Sequence, residues 1–479
     1  MQFEPVIGLE VHVQLDTKSK IFCSCSTKFG AEANNHVCPV CMGLPGSMPV
    51  LNKEVVNQAI RAGLALGCDI QRVSTFDRKN YFYPDLPTAY QKTQMYHPIC
   101  IGGTLTIETE KGERRTINLT RIHIEEDAGK LVHGESIGAS DSSYVDLNRS
   151  SMPLIEIVSN PEMHTAEEAR LYMQKLRTIL LYAGVSDCNM EEGSMRCDAN
   201  ISIRPVGETK LGTRVEIKNM NSFRNVQRAV EYEIKRQEKV LREGGSLRQE
   251  TRLWDNDKQI TFPMRSKEDA HDYRYFPDPD LLPLVVESDL IESLRKGLPE
   301  MPDSRKARFI DQYGLPKQDA ELLSSERSYA DYYEEALKTL NSPKPVANWI
   351  MSEVLRVVND RACGIYETGI TPANLALLVQ SVEDGTISGK QGKELFQDML
   401  ASGRSPIDII KEKGLAQVSD TGALEAIVKS VIEANPAEAE RFKQGDKKLV
   451  GFFVGQIMKA SQGKANPKLV NDILMKVLS

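Results

Sequence analysis

The densest set of reactive side chains in this 479-residue chain lies between Met195 and Asn219. From Met195 to Ile203, polar and apolar residues alternate strictly. A strand turns successive side chains to opposite faces, so Arg196, Asp198, Asn200 and Ser202 point one way. After the Pro205–Gly212 loop, Arg214, Glu216 and Lys218 share a face in the same manner. A loop of that length suits an antiparallel hairpin, which sets the two polar faces side by side. Carboxylates can hold a divalent cation while nearby cations hold the oxygens of a phosphate, and this face carries both kinds of group. Glu191, Glu192 and Ser194 lie just upstream.

Two further strands carry related chemistry. From Val6 to Leu15, alternation puts Ile7, Leu9, Val11, Val13 and Leu15 on one face and Glu10 with His12 on the other, roughly 6–7 Å apart. A carboxylate beside an imidazole can bind a divalent cation or move a proton, and the same pattern also suits a strand with one solvated face. In Leu119–Lys130, Arg121, His123 and Glu125 share one face and Ile122 and Ile124 the other, with Glu126 and Asp127 following. This reads either as a functional face or as a charged edge strand.

Cys23, Cys25, Cys38 and Cys41 form two close pairs separated by a short loop. Four thiolates so spaced suit tetrahedral zinc and leave no coordination position open, which predicts a structural site. Arg78–Asp85 and Tyr90–Lys92 interleave aromatic rings with cations, a pattern that stacks on unpaired bases or simply packs a proline-bearing loop. Ser266–Asp278 is again charged and aromatic, and either closes the same site or forms a salt-bridged turn. The chain has no G-x-x-x-x-G-K-[ST] loop, no protein-kinase motif set and no dinucleotide-binding glycine fingerprint. It also has no glutaminase or amidase nucleophile constellation.

The elements that must position these residues follow from periodicity. From Val6 to about Val286 the pattern is mostly period two, broken by helices at Thr165 to about Ala183 and Ser222–Glu243, the latter stopped by Gly244-Gly245. After Pro283–Pro302 the apolar spacing becomes three and four, as in Pro343–Val358. Thr371-Pro372 reads as an N-cap with proline in the first turn, and Ser419-Asp420 opens a further helix. The expected fold is α+β: a large β-rich cradle (1–292), an all-α middle domain (293–406) and a small all-α tail (407–479). Length agrees with about three domains. The acidic opening Met1–Pro5 runs straight into a strand pattern, so no secretory signal is expected. No apolar run approaches the ~20 residues of a membrane span. An odd number of scattered cysteines, nine in all, argues for a reducing, cytoplasmic setting. The net charge is −7, yet from Arg441 onward eight Lys/Arg stand against two acids. A basic end on an acidic body suits either phosphate contact or a solvated helical surface.

Beyond this chemistry, the wording of the motifs is informative. Val6–Leu15, Phe76–Asp85, Glu125–Lys130, Glu191–Asn200, Glu216–Phe223 and Asp272–Asp280 resemble the B-subunit family of the aspartyl/glutamyl-tRNA(Asn/Gln) amidotransferase. Gly451–Lys459 and Gly463–Pro467 resemble the end of that family, so the likeness runs in order along essentially the whole chain. The resemblance implies ATP-dependent phosphorylation of the side-chain carboxylate of Glu on tRNA(Gln) or Asp on tRNA(Asn). Ammonia from an amidase-type glutaminase partner subunit, in a heterotrimer with a small third subunit, then displaces the phosphate. That division of labour explains the missing amidase nucleophile. The resemblance maps the magnesium site onto Glu10, His12 and Glu125, with Glu126 beside them, and makes the cysteine cluster a structural zinc site. Arg196, Asp198, Glu216 and Lys218 extend the catalytic set from their strand faces. Lys79, Tyr81 and Tyr83, and Lys459 and Lys464 in the tail, are the expected tRNA contacts.

Two other readings are open to test. A non-enzymatic, zinc-bearing RNA-binding protein has no use for the acidic face at Asp198 and Glu216, and ATP consumption dependent on mischarged tRNA separates it. A stand-alone ATP-dependent amide ligase needs no basic tail and would keep its activity without one.

Overall fold

The computed structural model describes residues 2–133, 142–264, 273–415, 421–443, 449–461 and 467–478. They form two compact units, Met1–Met301 and Pro302–Ser479. The first mixes a large sheet with helices and the second is helical, an α+β composition.

The strand that organises the first unit is β1 (Phe3–Gln14). Ile7, Leu9, Val11 and Val13 are buried as their alternation requires, and Leu15 just beyond the strand is buried with them. The remaining elements used below are α1 (Lys53–Ala65), β2 (Asp77–Asn80), β3 (Tyr90–Thr93), β4 (Arg114–Glu126) and β5 (Pro153–Ser159). They continue with α2 (Ala166–Ala183), β6 (Met195–Pro205), β7 (Val215–Lys218), α3 (Phe223–Arg242), β8 (Glu250–Asp255) and β9 (Ile260–Pro263). The main sheet has ten strands and runs β9-β8-β7-β6-β1-β5-β4, ending in the short strands Cys100–Ile101 and Asp69–Ile70, while Thr104–Glu108 also pairs with β4. Its pairs are antiparallel except β7 with β8, which is parallel.

Helices α1, α2 and α3 join the apolar face of this sheet in one hydrophobic core that includes Ile60, Leu176, Val226, Val11, Ile157 and Ile201. Helix α2 starts at a capping box between Thr165 and Glu168 and stops at Gly184 in the left-handed region (φ 67°). Helix α3 starts where Ser222 accepts from the Asn225 N–H. Both helices lie where the sequence pattern puts them. Helix α1 departs from the period-two pattern expected across its region. Its Val55, Val56, Ala59 and Ile60 are buried, and Asn52 caps it by accepting from the Glu54 N–H. Two adjacent valines and a glycine weaken the helical signal locally, and burial of one face overrides them. The glycine is sterically required: a Cβ on Gly63 would meet Cys100 Sγ at 2.5 Å and Ile70 Cδ1 at 2.9 Å.

The second unit contains two hydrophobic cores, one from Phe309 to Ile410 and one from Leu424 to Leu474. Thr371 caps the helix Pro372–Glu383 by accepting from the Asn374 N–H, with proline at the first helical position. The Pro343–Val358 stretch is helical but passes through a π-turn at Ile350–Val354. The expected helix opening at Ser419-Asp420 lies outside the described residues, which resume with the helix Thr421–Ala434.

Candidate active site on the polar face of the sheet

The face of the sheet opposite the helices is crossed by rungs of polar residues. On one rung, His12 of β1 lies opposite Arg196 of β6 on one side and Glu156 of β5 on the other, and Glu156 lies opposite His123 of β4. On the next, Glu10 lies opposite Asp198. Side chains of directly opposed residues on one sheet face come into contact. The sheet thereby gathers groups that are far apart in sequence.

Two acidic groups result. His12, Glu125 and Glu156 present ligand atoms within 4.8 Å of one another, and so do Glu10, Asp198 and Glu216. His12 Nε2 is 3.5 Å from Glu125 Oε1 and 3.5 Å from Glu156 Oε2. Burial would raise the Glu156 carboxyl, but the charge of His123 and the hydrogen bond of His12 outweigh it and hold the carboxyl well below the ordinary range. In the second group, Asn200 Nδ2 donates to Glu10 Oε1 at 2.8 Å. The Lys218 ammonium bridges Asp198 and Glu216, lying 3.1 Å from Glu216 Oε1. Thr251 Oγ1 donates to the other Glu216 oxygen at 2.7 Å, a contact made by the parallel pairing of β7 and β8. Burial, then the charges of Glu156, Glu216 and Asp198, push the Glu10 carboxyl upward. A nitrogen and two carboxylate oxygens converge at His12, Glu125 and Glu156, a mixed donor set that can hold a divalent cation once the His12 Nε2 proton leaves.

The expected ligands therefore divide between two groups. Glu10 joins Asp198 and Glu216, while His12 and Glu125 join Glu156. Glu126 belongs to neither group: Oε1 accepts from Lys92 Nζ at 3.0 Å and from the Lys92 N–H at 2.9 Å, and Oε2 from Ser151 Oγ at 2.7 Å. Arg196 Nη2 lies 2.9 Å from Asp127 Oδ2, and Asp127 is further held near Arg149 Nε at 3.5 Å. Glu156 was missed by sequence reasoning. Its available signal was a lone acid in the otherwise apolar stretch Pro153–Val158.

Lys79 of β2 sits between aromatic rings, its Nζ 4.9 Å from the Tyr273 centroid and 5.7 Å from that of Tyr81. Burial opposes its charge, but Glu125, the neighbouring tyrosines and Glu156 raise its pKa. Tyr83 is exposed and packs edge-on against Tyr81. Of the charged segment Ser266–Asp278, residues 266–272 lie outside the described residues. In its remainder, Asp278 binds the Arg78 guanidinium at 3.1 Å, and Asp280, just beyond the segment, binds it at 2.6 Å.

Cys23, Cys25, Cys38 and Cys41 also bring their sulfurs within 4.8 Å of one another. A thiol hydrogen bond from Cys23 pulls the Cys41 thiol down to about 5, with Lys20 adding to the effect. Four sulfurs so gathered fit a soft, tetrahedral ion such as zinc. In the second unit, Lys459 is exposed on the helix Leu449–Ala460, and Lys464 lies outside the described residues.

The chain is similar to known proteins along its whole length. A family model described as the GatB/GatE catalytic domain matches residues 5–292, and one described as the GatB domain matches residues 331–478. The chain is 57% identical over 479 residues to the B subunit of the aspartyl/glutamyl-tRNA(Asn/Gln) amidotransferase of Geotalea uraniireducens, covering 100% of both. It is 54% identical over 478 residues to the protein of the same name from Carboxydothermus hydrogenoformans, covering 100% of this chain and 99% of that one. With the protein of that name from Caldanaerobacter subterraneus, identity is 56% over the full length of both.

Proposed function

The chain belongs to the B-subunit family of the aspartyl/glutamyl-tRNA(Asn/Gln) amidotransferase, and from that premise we propose that the polar face of its sheet is where the tRNA-borne carboxylate is activated and amidated. As a member of that family the protein is one component of a tRNA-dependent amidotransferase, a ligase that uses ATP and an amide donor. The observation that carries the assignment of the site is the convergence of His12, Glu125 and Glu156 beside Glu10, Asp198 and Glu216 on one sheet face.

The chemistry needs two steps. A carboxylate is a poor electrophile, so one of its oxygens first attacks the γ-phosphorus of ATP and ADP leaves. Ammonia then attacks the acyl carbon, phosphate leaves with the bonding pair, and a proton is lost from nitrogen to give the amide. His12, Glu125 and Glu156 are the proposed magnesium ligands, with Glu10 adjoining. Magnesium bound there supplies neutralisation of charge on the phosphate oxygens. Arg196, Lys218 and Lys79 offer cations to the same oxygens, and Asp198 and Glu216 orient Lys218. Tyr81, Tyr83 and the other rings of this loop are assigned to the unpaired tRNA end, which stacks on aromatic faces.

The proposal extends to organisation. It takes the chain as a cradle (1–292), a helical domain (293–406) and a basic tRNA-binding tail (407–479); three separate hydrophobic cores support three packed regions, although Leu294 joins the first core and Ile409 and Ile410 the second. Partners are an amidase-type glutaminase subunit that releases ammonia and a small third subunit. The cysteine cluster is assigned one structural zinc. Among the described residues no helix is long and apolar enough to cross a membrane. The tRNA substrate and nine unpaired thiols support a cytoplasmic setting.

The test is acyl-phosphate formation by the complete complex with Glu125→Ala or Glu156→Ala. Both variants should lose phosphorylation of the mischarged tRNA while keeping tRNA affinity. Normal phosphorylation in both would remove the assignment.

A further inference from the structure

His123 is an imidazole placed where it cannot meet substrate. It is 3% exposed, on β4, and lies behind Glu156 as seen from His12. Its Nδ1 is buried with no hydrogen-bond partner among the described residues, a cost that an apolar side chain of similar size would avoid. What imidazole supplies and an apolar group does not is the second nitrogen. Nε2 lies 3.2 Å from Glu156 Oε2, within hydrogen-bond range, and 3.7 Å from Glu125 Oε2, beyond it. A carboxylate accepts hydrogen bonds, so the Nε2–H tautomer of His123 would face Glu156 as a donor.

The register makes the contact specific. His12, Glu156 and His123 stand directly opposite one another on three neighbouring strands, with the carboxylate in the middle. Glu125 is two residues from His123 on the same strand face. The Glu156 oxygen that lies 3.5 Å from His12 Nε2 is also the one that lies 3.2 Å from His123 Nε2.

We propose that His123 is a positioning residue for the candidate metal site, its Nε2–H fixing Glu156 in the orientation in which that carboxylate can share a divalent cation with His12 and Glu125. The inference rests on the metal assignment made above. Carboxylates that bind metals are themselves held by hydrogen bonds, and loss of such a partner typically weakens metal binding about 10–100-fold. His123 acts through Glu156 and touches no reacting atom.

Manganese(II), whose free form is read directly by electron paramagnetic resonance, is the probe, titrated into the full-length chain. His123→Leu should weaken manganese binding by about 10–100-fold and leave tRNA affinity unchanged. His123→Gln, whose amide can reach about as far as Nε2, should recover most of it. Manganese binding by His123→Leu equal to wild type, alongside its loss in Glu125→Gln, would overturn the inference. So would equal losses in His123→Leu and His123→Gln, which would mean that ring packing and not the donor matters. If His123→Leu does not fold, His123→Asn is read instead: its shorter amide should show the loss, and wild-type binding would overturn the inference. Undiminished manganese binding in both Glu125→Gln and Glu156→Gln would instead bring down the metal assignment beneath it.

Discussion

Arg196 Nη2 lies 2.9 Å from Asp127 Oδ2, so the cation proposed to meet phosphate is anchored by a carboxylate from beyond the end of β4. The charge of Asp127 raises the Arg196 pKa and outweighs burial, which opposes the guanidinium charge. Removing the cation with Arg196→Ala should slow acyl-phosphate formation about 10²–10³-fold, the usual effect of losing one donor to a developing anion. Asp127→Asn keeps the shape but loosens the anchor, so it should raise KM for ATP more than it lowers kcat. Steady-state kinetics of ATP turnover with mischarged tRNA measures both.

Glu126 predicts a different phenotype from its neighbour Glu125. It is buried and joined to the buried Lys92. Glu126→Ala leaves an unpaired ammonium in the interior and should cost about 3–5 kcal/mol of stability. Adding Lys92→Met should recover much of that loss. Denaturant unfolding of the two variants checks this, and a fully stable Glu126→Ala protein that cannot bind metal would make Glu126 a ligand after all.

The cysteine cluster predicts metal content. Purified protein should contain about one zinc per chain, and chelation should lower its melting temperature. Replacing Cys38 and Cys41 with serine should reduce stability more than it changes turnover of the folded remainder. A metal-free protein of undiminished stability would show that the four thiols only pack together.

Lys459 carries the prediction for the tail. If it contacts a tRNA phosphate, Lys459→Ala should weaken tRNA binding and reduce the slope of log K against log salt by about one. Glutamine hydrolysis in the absence of tRNA should not change. Equal salt slopes for the two proteins would leave Lys459 as a solvated surface charge.

The features legible in the sequence are local ones. Alternation along Val6–Leu15 and Met195–Ile203 sorted Glu10, His12, Arg196 and Asp198 from their apolar neighbours, because successive strand residues face opposite ways whatever lies beside them. The helix starts at Thr165 and Ser222, the cap at Thr371 and the spacing of the four cysteines are likewise short-range signals. Strand order and register are different, since they depend on how a whole sheet packs against its helices. It took the folded sheet to bring Glu156 opposite both His12 and His123, to divide the ligand candidates into two groups, and to turn Glu126 toward Lys92. The sheet also set Thr251 beside Glu216 through a parallel pairing that no hairpin rule predicts. Helix α1 belongs to the same category: its valines and glycine favour other structure locally, and burial against the sheet overrules that preference. Local periodicity names the face on which a side chain lies, and long-range packing decides which other side chains it meets there.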